Sequence, residues 1–342
     1  MKAFWKKGLV LLVSAGMTLG ILELALRAGA FQKQYSWSVE HGGDLERPKG
    51  KWMILGDSFS ADWKTGQSLA ELLYPEFRKR NIEILNTAGF GYGPQDYLIQ
   101  MKAYAPGFHP DRVLLFYYAG NDLTDVQYRR GWAQDLKIIL KPWLVRFRLL
   151  HFLKTKWEAL RLKEAYSSAG MSMGREMLRL SKAGKVNLWL VLLGRKKPEY
   201  LRDNLLMETK QNRDAWLKVK NNLKRIKDLS GRRGADLMIV IIPPTSQVNS
   251  SHFDFYETLG FKTDERTLTS SEPQQRMKEF CEEEKIQCLD LLPAFRAQSG
   301  KEFYLDWDDH FNFAGNRLAK ELILNFLFLH ESRPAWVPQG SR

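Results

Sequence analysis

Five short apolar runs, spaced by stretches of helical periodicity, constrain this chain more than any other feature. Trp52-Met53-Ile54-Leu55 leads into Gly56-Asp57-Ser58, and Ile82-Glu83-Ile84-Leu85 into a loop with Gly89, Gly91 and Gly93. The run 113–118 ends in Ala119-Gly120-Asn121-Asp122, the run 237–242 stops at Pro243-Pro244, and the run 286–289 is the fifth. Helices are expected over 67–80, with Pro75 kinking or splitting it, and over 95–105. A stripe at Trp216, Val219, Leu223 and Ile226 predicts another, and further helices are expected over 274–284 and 314–329. Strands alternating with helices predict right-handed crossovers and a parallel sheet covered on both faces. Sites in such sheets form at the carboxyl ends of strands. That rule singles out Ser58, the 89–93 loop and Asn121.

The segment 127–210 interrupts the alternation. Its stretch 127–165 is aromatic-rich and carries ten Lys/Arg against three Asp/Glu, so a basic helical insertion is expected there. It reads either as a solvated helical cap over the site side of the sheet or as an amphipathic surface on anionic lipid. The formal charge is +13, and most of it sits in this stretch and at Lys2, Lys6 and Lys7. No nucleic-acid-binding motif accompanies it, so no nucleic-acid partner is expected. The three lysines precede an apolar run, 8–22, that resumes after Glu23 and closes at Arg27. The stretch 8–26 is just long enough to span a bilayer. The lysines favour an N-terminus in the cytoplasm and a catalytic part outside it, periplasmic in a Gram-negative cell. The competing reading is a signal peptide cleaved after Ala30, at the small-x-small Ala28-Gly29-Ala30; both readings export the chain. The expected organisation is an anchor over 1–31, a linker over 32–50, an α/β domain over 51–330 that contains the insertion, and a tail over 331–342.

A serine at the end of a strand can have backbone N–H groups facing a developing anion, but its hydroxyl needs a base. His310 lies in Asp306-Trp307-Asp308-Asp309-His310-Phe311-Asn312, far from Ser58 in sequence and just before a helix. Carboxylates beside it can fix its tautomer. Asn121 and the Gly91 backbone can supply donors to an oxyanion. Asp57 and Asp122 read as structural, bonding neighbouring backbone. Gly170-Met171-Ser172-Met173-Gly174 matches the nucleophile elbow G-x-S-x-G, but a basic helical stretch precedes it where a buried strand is required, so Ser58 is preferred. Two cysteines, Cys281 and Cys288, exclude a disulfide scaffold; they read either as a single disulfide or as two buried thiols. No cluster has convincing metal-ligand spacing, and the 89–93 loop lacks a P-loop lysine, so neither metal nor cofactor is expected.

Gly56-Asp57-Ser58, the block at Gly91, Gly120-Asn121-Asp122 and Asp308–His310, in that order, resemble the SGNH (GDSL-type) hydrolases. The resemblance covers 51–121 and 237–329. It implies a flavodoxin-like three-layer α/β/α sandwich and serine hydrolase chemistry on an acyl ester, often an acetyl ester. It implies Ser58 as nucleophile, His310 as base, and an oxyanion hole of the Ser58 and Gly91 N–H groups and the Asn121 side chain. The commoner spacing places the acid three residues before the histidine, where this chain has Trp307. Asp308 matches the Asp-x-His spacing of exported, alginate-type polysaccharide O-acetyltransferases and is assigned as the acid, with Asp306 in reserve. In an extended loop Asp306, Asp308 and His310 share a face and Asp309 points away. The expected function is an extracytoplasmic esterase or O-acetyltransferase on an envelope glycan, with a membrane-bound acyl-transfer partner in the second case. A non-catalytic glycan-binding accessory protein and a lipid-surface lipase are the alternatives.

Overall fold

In the computed structural model the apolar runs form a sheet of β1 (Glu40–His41), β2 (Gly50–Leu55), β3 (Ile82–Asn86), β4 (Arg112–Tyr118), β5 (Asp236–Ile242) and β6 (Gln287–Asp290), in the order β1-β3-β2-β4-β5-β6. The structure describes residues 40–41, 47–61, 67–127, 186–298, 301–306 and 308–328, with single positions at 14, 17, 18, 139, 179 and 180. The chain divides into two units, Met1–Val39 with Ile139–Leu178 and Glu40–Ile138 with Arg179–Arg342, and the whole sheet lies in the second. All but three positions of the expected span at 8–26, the 28–30 cleavage site, Ser172, the tail 331–342 and nearly all of 127–165 lie outside the described residues. Among the described residues no helix is long and apolar enough to cross a membrane.

β3, β2, β4, β5 and β6 are parallel, with Met53 opposite both Leu85 and Val113, Leu115 opposite Ile239, and Val240 opposite Leu289. β1 runs antiparallel to β3, Glu40 facing Asn86. The five expected strands are the parallel ones, and β1 adds a short antiparallel strand within the stretch read as a polar linker. A two-residue strand is too short to leave a pattern, yet it covers part of the exposed edge of β3.

The helices that position the site are α1 (Leu69–Lys79), α2 (Pro94–Phe108), α3 (Asp122–Asp125), α4 (Lys210–Gly231), α5 (Glu272–Glu284) and α6 (Phe313–Phe328). Strand side chains alternate between faces. Trp52, Ile54, Leu114, Phe116, Met238 and Val240 face one core, closed by Leu69, Leu73 and Phe77 of α1 and Ala319, Ile323 and Leu327 of α6. Their neighbours Met53, Leu55, Val113, Leu115, Ile239 and Ile241 are equally buried. On that side α2 and α4 pack on each other, α2 against β2 and α4 against β5. The α4 stripe of Trp216, Val219, Leu223 and Ile226 is buried as expected. Each large apolar side chain removed from water contributes about 1.5–3 kcal/mol, so two such faces hold three layers together.

α1 begins on a capping box. Ser68 Oγ accepts from the Glu71 N–H (3.4 Å), and Glu71 Oε2 accepts from the Ser68 N–H (2.9 Å). Pro75 neither splits nor ends the helix: it sits on the exposed side, where water can serve the carbonyl that loses its donor, while Leu73 and Phe77 are buried on either side of it. The last part of the expected insertion, from 186 on, lies within the described residues. Leu201 and Leu205 are buried, and Asn204 Oδ1 accepts from the Thr124 N–H of α3 (3.1 Å). Cys281 of α5 and Cys288 of β6 are free thiols, and the sulfur of Cys288 together with burial raises the Cys281 pKa.

Candidate active site

The strand order grows outward from β2 in both directions, so the carboxyl ends of β2 and β4 flank the crevice at which this kind of sheet places ligands. Gly56 follows β2 directly. A Cβ there would collide with the buried Ser60 Oγ, so the position needs glycine. The buried Asp57 carboxylate accepts from the Phe59 N–H (2.9 Å), and the Asp57 carbonyl accepts from the Ala61 N–H (3.1 Å). These bonds fold 57–61 into a turn that presents the half-buried Ser58. α1 opens only at Leu69, so the backbone donors near Ser58 belong to this turn and not to a helix start.

Ser58 Oγ lies 2.7 Å from His310 Nε2, across 252 residues of chain. His310 Nδ1 lies 2.6 Å from Asp308 Oδ1. The same oxygen accepts from the Asp309 N–H (2.7 Å) and the His310 N–H (3.2 Å), which fixes the carboxylate independently of the ring. With Nδ1–H donating to Asp308, Nε2 is left as the acceptor for the serine proton. The Phe59 ring lies 4.9 Å from the imidazole, centroid to centroid, and packs on Tyr118 at 4.3 Å.

Asp309 does not point away. Tyr304 and Phe311 pair in a bridge, and the Leu305 N–H donates to the His310 carbonyl (2.9 Å), so the segment doubles back on itself. The alternation of an extended loop therefore fails. Asp309 Oδ1 comes within 3.4 Å of His310 Nδ1, and its Oδ2 accepts from the Tyr118 hydroxyl (3.2 Å). Asp306, the reserve acid, is exposed, and Nδ1 bonds Asp308 instead. Sequence reasoning misses Phe59 beside the ring and Tyr118 on Asp309, and it turns Asp309 away from the ring. One signal exists for Tyr118: it has the strand parity of Leu114 and Phe116, whose face is closed by the helix that follows the histidine loop.

Asn121 stands at the end of β4, before α3. Its Nδ2 is 3.5 Å from Asp57 Oδ2, a long contact, and its Oδ1 is buried without a partner among the described residues. Asp122 accepts from the Tyr118 N–H and the Tyr97 hydroxyl, each at 2.9 Å, and so pins the turn that carries Asn121. Gly91 is exposed, in a turn closed by the Tyr92 N–H on the Gly89 carbonyl (3.2 Å). Its φ of +67° is the left-handed conformation that glycine adopts freely. The Gly89 N–H donates to the Gly56 carbonyl (3.2 Å), which ties this loop to the one bearing Ser58.

The charges are graded around the ring. Burial works against ionised Asp308, but the His310 hydrogen bond and charge hold its pKa down at about 2. Burial pushes Asp309 up to about 7 against the pull of the His310 charge, with the Asp308 charge adding to the rise. Burial pushes Asp57 up to about 6, although the Phe59 N–H, the His310 charge and Asn121 oppose it. Burial disfavours the imidazolium, but the Asp308 hydrogen bond and the charges of Asp309, Asp308 and Asp57 outweigh it and raise His310 to about 9. Asp308, Asp309 and His310 each place one ligand atom within 4.8 Å of the others. Asp308 Oδ1 is already engaged by two backbone donors and the ring, an arrangement that suits a proton relay better than a cation.

No family model matches the sequence, and no curated protein is close enough to match it. Solved structures to which the chain is similar include an acetyl xylan esterase, at 10% identity over 80% of this chain and 98% of that one, with a TM-score of 0.44. A catalytic mutant of an acetylxylan esterase from Geobacillus stearothermophilus is similar at 12% identity, over 84% and 98% of the two chains, with a TM-score of 0.43. The lipase/acylhydrolase from Enterococcus faecalis is similar at 13% identity, over 81% and 94%, with a TM-score of 0.42. At such identities and scores the function has to be derived from this chain's own site.

Proposed function

We propose that this chain is a serine esterase that turns over acyl esters through an acyl-enzyme on Ser58. The observation that carries the reading is the continuous relay from Ser58 Oγ through both nitrogens of His310 to Asp308, at 2.7 and 2.6 Å. Neutral His310 takes the serine proton through Nε2 as Oγ attacks the ester carbonyl, and the Asp308 carboxylate stabilises the imidazolium that forms. The carbonyl oxygen becomes an anion, for which Asn121 Nδ2 and the N–H groups of Ser58 and Gly91 are the donors in this reading. His310 then returns the proton to the leaving alcohol. A water or an acceptor hydroxyl, deprotonated by His310 in its turn, releases the acyl group and restores Ser58.

Water as the second nucleophile makes the chain a hydrolase; a hydroxyl makes it an O-acyltransferase, working beside a membrane-bound acyl-transfer partner. The three N-terminal lysines and the apolar stretch 8–26 support a membrane-anchored chain acting outside the cytoplasm, with an envelope glycan as the alcohol side of the ester. A binding protein has no use for a serine, a histidine and a carboxylate in hydrogen-bonded series. The test is incubation of the full-length chain with p-nitrophenyl esters, with and without a candidate oligosaccharide. Free carboxylic acid identifies an esterase and acylated sugar a transferase; nitrophenol release no faster than in the Ser58→Ala variant overturns the proposal.

A further inference from the structure

Beside the relay the structure holds a cavity of about 160 Å³, with Ser58 and His310 at its wall. The apolar part of its lining comes from Phe59 next to the nucleophile, Leu69 at the start of α1, and Leu305, Phe311 and Phe313 around the histidine loop. Four polar side chains also line it: Gln67, Ser68, Asn312 and Asn316. Three of them are committed to holding the walls. Ser68 Oγ donates to Glu71 Oε2 (2.7 Å) within the capping box. Asn312 Nδ2 donates to the carbonyls of Glu302 (3.0 Å) and Tyr304 (3.1 Å), and its Oδ1 accepts from the Gly315 N–H (3.0 Å). Asn316 Nδ2 donates to the Gln67 carbonyl (3.1 Å), joining the two sides of the cavity. Among the described residues the lining therefore offers a ligand mainly hydrocarbon.

A sugar placed here would leave hydroxyls without partners, a loss that an aliphatic chain does not suffer. We propose that this cavity takes the acyl chain of the substrate, and that the protein prefers esters of linear aliphatic acids of about four to six carbons to acetyl esters. The inference rests on the reading of Ser58 as the acylated residue and adds the substrate class. Its size argument is direct: an apolar cavity of about 150 Å³ holds a benzene ring, six carbons, whereas the single methyl of an acetyl group leaves most of such a space unfilled. The acyl chain proposed here is longer than the acetyl group that the family resemblance implies.

The experiment is a chain-length series of p-nitrophenyl esters, acetyl to decanoyl, on the full chain, run beside fluorophosphonate labelling of Ser58. kcat/KM should climb about three- to fivefold per methylene from acetyl to hexanoyl and then fall. Leu305 and Phe313 are 40% and 46% exposed at the cavity rim, so both tolerate substitution. Leu305→Trp should lower the hexanoyl-to-acetyl ratio about tenfold or more, and Phe313→Ala should move the optimum to longer chains. Shifts of chain-length preference in opposite directions are not produced by general damage. An enzyme that labels at Ser58 but works best on acetyl overturns the acyl-pocket proposal and leaves the nucleophile in place. Absence of both labelling and turnover overturns the Ser58 reading, and this proposal with it.

Discussion

His310 is held between two carboxylates that behave oppositely. Asp308 stays ionised, down at about 2, and bonds Nδ1, whereas Asp309 is pushed up to about 7 and shares its charge with the Tyr118 hydroxyl. Asp308→Asn should therefore cost about 10²–10⁴-fold in kcat/KM, because an amide favours the wrong imidazole tautomer. Asp309→Asn should act differently. The ring must lose its proton to work as a base, so the wild-type rate should rise with pH up to an inflection near 9. Removing the Asp309 charge should move that inflection to lower pH, which a pH–rate profile measures and a purely structural role would leave in place. Asn121→Ala should lower kcat by about 10²–10³-fold with KM little changed, since its donor matters most as the oxyanion forms; equal losses in kcat and 1/KM would remove it from the hole.

Among the elements, α1 shows how closely the local fold and the site are joined. Ser68 caps α1 and also lines the cavity beside Ser58. Ser68→Ala should destabilise the protein by about 1 kcal/mol in denaturant unfolding, with the slope of the transition unchanged. The strands of the parallel sheet and most helices are legible in the sequence because each carries several apolar residues at a fixed period. β1 is not, since two residues carry no period. Ser58, Asn121 and His310 are legible as loop residues at strand or helix ends. The place of Asp309 is not: whether side chains alternate depends on the backbone, and the bond from the Leu305 N–H to the His310 carbonyl makes that backbone a turn. The cavity is likewise invisible in the sequence, because its walls come from residues as far apart as Leu69 and Phe313 and depend on asparagine bonds to backbone.

At the scale of the whole molecule, the parallel sheet brings the carboxyl ends of β2 and β4 together and α6 carries the histidine loop back over them, so catalysis and stability share the same charges. Asp308 ionises at about 2 in the folded chain against 3.8 ordinarily, so its share of stability is full above 3.8 and fades as pH falls toward 2. His310 is raised from 6.5 to about 9, so its share is full below 6.5 and fades as pH rises through 9. The Tm difference between wild type and Asp308→Asn should accordingly be widest between these limits and close on either side; a difference independent of pH would mean that the ion pair does not stabilise the fold. The central claim is that a distant histidine makes one serine, Ser58, nucleophilic. The most direct measurement is the mass-spectrometric site of a fluorophosphonate adduct on the full-length chain. One adduct per chain at Ser58, absent from Ser58→Ala and formed far more slowly in His310→Ala, is the predicted result. An adduct at Ser172, or one that forms equally fast without His310, would contradict it.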